Sequence, residues 1–184
     1  MKKIYTPDIK VITIENPIEY HLKGIVQTQT DSEKGYTFAE GLRSALRQDP
    51  DVIMVGEIRD SETASVAINA SLTGHLVLST LHTNNAAGAF PRLLDLGINP
   101  KVVSSALSIS IAQRLVRKLC RACAKKVLLE GASQQTVDKI LEGIQDKSYL
   151  DGVQKEAVWA PVGCKECSGL GYKGRVGVFE AILV

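Results

Sequence analysis

Residues 52–57 read Val52-Ile53-Met54-Val55-Gly56-Glu57, four apolar residues followed by a glycine and an acid. A short apolar run bounded by Asp49-Pro50-Asp51 before it and Gly56 after it predicts a strand buried on both faces. Glu57 then stands at the carboxyl end of that strand. On the amino side, Thr37-Phe38-Ala39-Glu40 has the spacing of a capping box. Phe38, Leu42, Ala45 and Leu46 recur at helical intervals until Asp49-Pro50 stops the helix. On the carboxyl side a second helix starts near Asp60 or Ser61, carries Ala64, Ala67, Ile68 and Leu72 on one stripe, and ends at Gly74.

Two further strands flank these helices. Residues 9–14, Ile-Lys-Val-Ile-Thr-Ile, are rich in β-branched side chains and end at Glu15-Asn16-Pro17. Residues 75–82, His75-Leu76-Val77-Leu78-Ser79-Thr80-Leu81-His82, form another apolar run. Strand, helix, strand, helix, strand predicts an α/β fold with a mostly parallel sheet covered on both faces. Such sheets bind ligands beyond the carboxyl ends of their strands. Glu15, Glu19, Glu57, Arg59 and His82 fall at that rim, on three different strands.

A carboxylate at such a rim can hold magnesium through water or orient an attacking water, and a nucleotide hydrolase needs both services. Glu57 suits the first and Glu19 the second. His82 is placed to hydrogen-bond a phosphate oxygen, while His75 lies at the opposite end of the same strand. Each of these residues also has a plain reading as a solvated or structural side chain.

Elsewhere the pattern is less regular. Residues 20–36 are polar and glycine-punctuated, consistent with a short hairpin or a loop. Residues 85–96 predict a helix interrupted at Pro91 and closed by Gly97. Asn99-Pro100 opens another, expected to run to about Leu119. Residues 133–144 predict an amphipathic helix, and Arg175 to Val184 a strand.

The four cysteines form two C-x-x-C pairs, Cys120/Cys123 and Cys164/Cys167, separated by 40 residues. Each pair can place two sulfurs on one ion, and together they predict a structural zinc site with no open position for catalysis. Inert or redox-active thiols are the alternative. Arg114, Arg117, Lys118, Arg121, Lys125 and Lys126 surround the first pair. They read as a solvated face that offsets thiolate charge, or as an interaction surface.

The chain has 184 residues, 45% hydrophobic and 23% charged, enough for one sizeable core and a small second lobe. A net charge of +2 does not by itself imply a polyanionic partner. No aromatic platform interleaves the basic run, which argues against nucleic acid. Met1-Lys2-Lys3 leads into Tyr5, Pro7 and Asp8 rather than an apolar signal core, and no run reaches the ~20 residues of a membrane span. These features predict a cytoplasmic chain.

The segments from Thr13 to Tyr20, from Asp49 to Asp60 and from Gly74 to Thr83 resemble the Asp box, atypical Walker B segment and His box of the type II secretion and type IV pilus assembly ATPases. Gln113-Arg114-Leu115-Val116-Arg117 and the four cysteines are similar to the branch that powers secretion and pilus extension. The resemblance implies a partial RecA-like P-loop NTPase core at residues 1–112, followed by a helical, tetracysteine zinc-binding region at residues 113–184. It implies Glu19 as the catalytic carboxylate, Glu57 as the magnesium-linked one, His75 and His82 as the His-box pair, and Arg43, Arg47 and Arg59 as charge-stabilising or interface groups. Glu15 and Asn16 would border the nucleotide, although Asn16 stands where the family usually has Asp.

The resemblance further implies ATP and Mg2+, a homo-hexamer, inner-membrane platform proteins as partners, and a place on the inner face of the bacterial inner membrane. No G-x-x-x-x-G-K-[ST] loop occurs in these residues. The family's loop would precede residue 1, so the expectation is the carboxy-terminal portion of a motor, inactive alone. The rival expectation is a zinc-stabilised module that docks to protein or membrane without turnover.

Overall fold

The computed structural model describes residues 1–184 and divides into two compact units: Met1–Gln113 with Phe179–Val184, and Arg114–Val178. The first unit contains a four-stranded sheet. Its strands are β1 (Val11–Glu15), β2 (Val26–Gln29), β3 (Val52–Val55) and β4 (Leu76–Ser79), arranged β2-β1-β3-β4. All three pairings are parallel, with Ile12 opposite Val26 and Ile53, and Ile53 opposite Val77. Val11, Ile12, Thr13 and Ile14 are consecutive and all buried, so β1 is covered on both faces, as is expected of a central parallel strand.

The first two helices form where their end signals predict. Thr37 caps α1 (Phe38–Leu46) by accepting the Glu40 N–H at 3.2 Å. Only that half of the capping box forms, because the Glu40 carboxylate turns outward to Arg43. Asp60 caps α2 (Ser61–Leu72), and Gly74, at φ +98°, carries the chain out of that helix toward β4. The core gathers Ile12, Ile14, Leu42, Ile53, Val55, Ala64 and Ala67 with Leu93 of α3 (Ala89–Asp95) and Val103 of α4 (Pro100–Ala106). Helix α1 approaches the sheet closely at Gly41, where a Cβ would lie 2.9 Å from Ile14 Cγ2.

The structure corrects three expectations. Residues 26–29, read as part of a hairpin or loop, form a parallel edge strand on β1. The helix expected to reach Leu119 ends at Ala106: Leu107 is extended, and Ile109–Leu119 is a long strand, β5. The region after residue 113, expected to be helical, therefore carries more strand than helix. β5 pairs with β8 (Tyr172–Leu183), while β6 (Lys125–Leu128) and β7 (Ala157–Ala160) form an antiparallel pair with Lys126 opposite Trp159. One helix, α5 (Gly131–Glu142), lies between β6 and β7. No helix is long and apolar enough to cross a membrane.

Candidate functional site

Parallel order places the carboxyl ends of β1, β3 and β4 side by side, and the polar residues that follow them meet at that rim. β3 ends at Val55. Gly56 N–H then bonds to Ile14 O at 2.8 Å, and Thr80 Oγ1–H donates to Gly56 O at 2.7 Å. Ile58 N–H donates to Thr80 O at 3.0 Å. The turn carrying Glu57 is thereby pinned to strands on both sides.

Glu57 is held by two neighbours at the rim. Its side chain is only 15% exposed, and Oε2 lies 3.0 Å from His82 Nε2 and 2.5 Å from Arg59 Nε. Burial works against ionisation of Glu57, but the hydrogen bonds from His82 and Arg59 outweigh it and hold the carboxyl below its ordinary range. Glu57 is therefore an anion near neutrality. His82 lies three residues beyond the end of β4 rather than within it, and is exposed together with Arg59.

A cleft of about 260 Å³ opens beside this group, lined by Glu15, Asn16, Pro17, Glu19, Phe38, Met54, Gly56 and Glu57. Glu19 and Asn16 are exposed on its edge. Glu15 is less free: its Oε1 accepts Thr13 Oγ1–H at 2.6 Å and Gln27 Nε2–H at 2.9 Å. His75 is at the amino end of β4, its Nδ1 3.1 Å from Ala70 O, so β4 separates it from the rim. Arg43 is engaged with Glu40 at 2.6 Å and Glu62 at 2.7 Å, and Arg47 with Ser44.

Residues that sequence reasoning missed are Thr13, Gln27, Gln29 and Thr80, which hold the rim rather than decorate it. The detectable signal was the i, i+2 repeat Gln27-Thr28-Gln29. It places both amides on one side of a strand.

In the second unit the four cysteine sulfurs lie within 4.8 Å of one another. Cys120 and Cys164 sulfurs are 3.9 Å apart, and Cys123 and Cys167 sulfurs 3.8 Å. Four sulfurs about 2.3 Å from a shared tetrahedral ion stand about 3.8 Å apart, whereas a disulfide needs about 2.05 Å. The spacing thus fits one tetrahedral thiolate-bound ion. Cys167 sulfur also accepts N–H bonds from Cys164 at 3.1 Å and Gly171 at 3.2 Å. Although burial opposes it, these bonds draw the Cys167 thiol down to about 6, while burial pushes Cys123 up to about 11. Of the basic run, Arg117 stacks over Tyr172 with 4.1 Å to the ring centroid, which uses its charge within the unit.

The chain thus combines an α/β unit, with acids, a histidine and an arginine gathered at one rim of a parallel sheet, and a unit that holds four clustered cysteines. The chain belongs to the type II/IV secretion system protein family, whose model matches residues 1–184. It is 48% identical over 185 residues to the type II secretion system protein E of Aeromonas hydrophila, a match covering 100% of this chain and 34% of that protein. It is 46% identical over 184 residues to the type IV pilus assembly ATPase PilB of Thermus thermophilus, covering 100% of this chain and 20% of PilB. The chain thus spans about a third or less of the length of these relatives. Among solved structures it is similar to the pilus retraction motor PilT with bound ADP, at a TM-score of 0.56 and 32% identity, over 87% of this chain and 51% of PilT. The Legionella pneumophila ATPase DotB matches at a TM-score of 0.52 and 37% identity, over 60% of this chain and 33% of DotB.

Proposed function

We propose that residues 1–184 supply the carboxylate rim and the zinc-bearing lobe of a cytoplasmic motor ATPase that drives pseudopilus or type IV pilus assembly and protein secretion. One observation carries the reading: Glu57, at the end of a central parallel strand, is held as an anion by His82 and Arg59 beside a cleft edged by Glu19. The names of the relatives, an assembly ATPase and a retraction motor with bound ADP, agree with it.

In this reading Glu57 would hold a magnesium ion bound with the nucleotide through water, and Glu19 is the base placed to take the proton of the attacking water. His82 reports the state of the phosphate through its bond to Glu57, and Arg59 steadies the negative charge. Asn16 lines the cleft, while Glu15 anchors the loop below it. His75, at the far end of β4, supports the α2–β4 turn. Magnesium, when bound with ATP, neutralises phosphate charge. Zinc on Cys120, Cys123, Cys164 and Cys167 fastens the second unit. The assembly is a homo-hexamer on the inner face of the bacterial inner membrane, working with membrane platform proteins and without nucleic acid.

These residues contain no phosphate-binding loop, so the chain alone is expected to show no saturable binding of magnesium-ATP up to millimolar concentrations. Substituted for the matched third of the Aeromonas hydrophila relative, it is expected to support turnover. Glu57→Gln and Glu19→Gln should each then lower kcat by about 100-fold. Turnover untouched by either substitution overturns the assignment, and a zinc-loaded hybrid without any turnover favours the docking module.

A further inference from the structure

The segment that carries Glu19 is fastened to β2 rather than to the strand it leaves. Gln27 makes three side-chain bonds, two to that segment and one to Glu15 at the end of β1. Gln27 Oε1 accepts the Leu22 N–H at 2.6 Å, and Nε2 donates to Tyr20 O at 3.0 Å and to Glu15 Oε1 at 2.9 Å. Two residues on, Gln29 Oε1 accepts the Ile18 N–H at 3.2 Å. An amide offers two donor hydrogens and an oxygen with two lone pairs, so Gln27 commits both donors and one of its two acceptor sites.

Residues 15, 18, 20 and 22 are therefore tied to one edge strand, while Glu19 and Asn16 between them remain exposed toward the cleft. The register explains the reach. Thr13 lies opposite Gln27 and Glu15 opposite Gln29, so β2 runs parallel beneath the loop that leaves β1. Alternation then sends both glutamine side chains to the same face.

We propose that Gln27, assisted by Gln29, is a positioning residue that sets where the Glu19 carboxylate stands. The inference rests on the reading of Glu19 given above, but the clamp itself can be tested without that reading. A loop held at four points keeps its exposed carboxylate within a narrow range, and misplacement of about 1 Å can cost about 100-fold in rate. Gln27→Met keeps the length and removes all three bonds.

Two measurements separate the ideas. In the 184-residue chain, hydrogen exchange at the amide of Leu22, whose acceptor is Gln27 Oε1, should speed up at least about tenfold in Gln27→Met, with the core amides of β1 and β3 unchanged. Unchanged exchange at Leu22 overturns the clamp. In the hybrid motor, Gln27→Met should lower kcat about tenfold or more with KM for ATP within about twofold. It should also add nothing in the Glu19→Gln background. A loss that multiplies with that of Glu19→Gln shows that Gln27 acts elsewhere and overturns the positioning role. Full activity of Glu19→Gln itself, with Leu22 exchange still accelerated in Gln27→Met, sinks the reading of Glu19 and leaves the clamp standing.

Discussion

His82 Nε2 lies 3.0 Å from Glu57 Oε2, although all of α2 and β4 separates the two residues in the chain. The contact is made by topology: β3 and β4 are parallel neighbours, so the segments leaving them emerge at the same rim. Arg59, two residues from Glu57, closes on the same oxygen. A single carboxylate oxygen thus joins the ends of two strands.

That junction should be visible in the pH dependence of stability. The folded-state pKa of Glu57 is lowered, so its contribution is fully present above the unfolded-state value of about 4.3 and is lost as pH falls through the folded value. Glu57→Gln should therefore destabilise the chain at pH 7, and the gap from the parent should narrow steadily below about pH 4.5. Urea melts at several pH values measure it. A gap that stays constant down to pH 3 would mean the carboxylate charge contributes nothing.

Removal of metal gives a second test. The chain should bind one zinc ion, and chelation should make four thiols titratable by a chromogenic reagent. Because the thiols lose their protons on binding, affinity should fall as pH is lowered. The second unit has few other anchors, since β6 and β7 leave Val127, Leu128, Val158 and Trp159 substantially exposed. Its amides should exchange faster after chelation while those of β1 and β3 hold. Trp159 is the sole tryptophan, so its fluorescence reports on this unit alone.

The knuckle depends on a glycine. Gly163 has φ +107°, and a Cβ there would lie 2.5 Å from Gly169 O. Both facts require the residue before Cys164 to be glycine. Gly163→Ala should weaken zinc binding by at least about tenfold, an expected outcome of backbone strain of about 1–3 kcal/mol. Competition with a chromophoric chelator reads the loss.

What could be read in advance, and what could not, divides along the range of the interactions. The strand at 52–55 and the starts of α1 and α2 are local matters of apolar run length and cap chemistry, and Thr37 and Asp60 mark them where they stand. β2 escaped because four half-polar residues carry too little periodicity. It exists through parallel pairing with β1, a partner fixed in space rather than in sequence. β5 was read as helix because Asn99-Pro100 is a helix start and no glycine or proline stands between Leu107 and Leu119 to stop it. Only pairing with β8, more than 50 residues on, settles the conformation. The same division holds at the rim. Glu57 and His82 were legible as strand-end residues, but Gln27 and Gln29 act across the β1–β2 register.

Asp60 allows the most demanding prediction, because it caps α2 directly behind the Glu57–Arg59 turn. Its Oδ1 accepts the Thr63 N–H at 2.7 Å, and its Oδ2 accepts Thr63 Oγ1–H at 3.0 Å. Thr63 is 1% exposed, so its hydroxyl has no recourse to water. Asp60→Ala removes the cap, worth about 1 kcal/mol, and also strands a buried hydroxyl at a further cost of about 1–3 kcal/mol. Thr63→Val in the same chain removes the stranded group with little change of shape. The double variant should therefore be more stable than Asp60→Ala alone, by about 1 kcal/mol or more, even though it has lost more of the native contacts. Urea denaturation of the four chains of this cycle decides it. If Thr63→Val makes Asp60→Ala worse, the aspartate acts on α2 as a cap alone and the hydroxyl finds another partner.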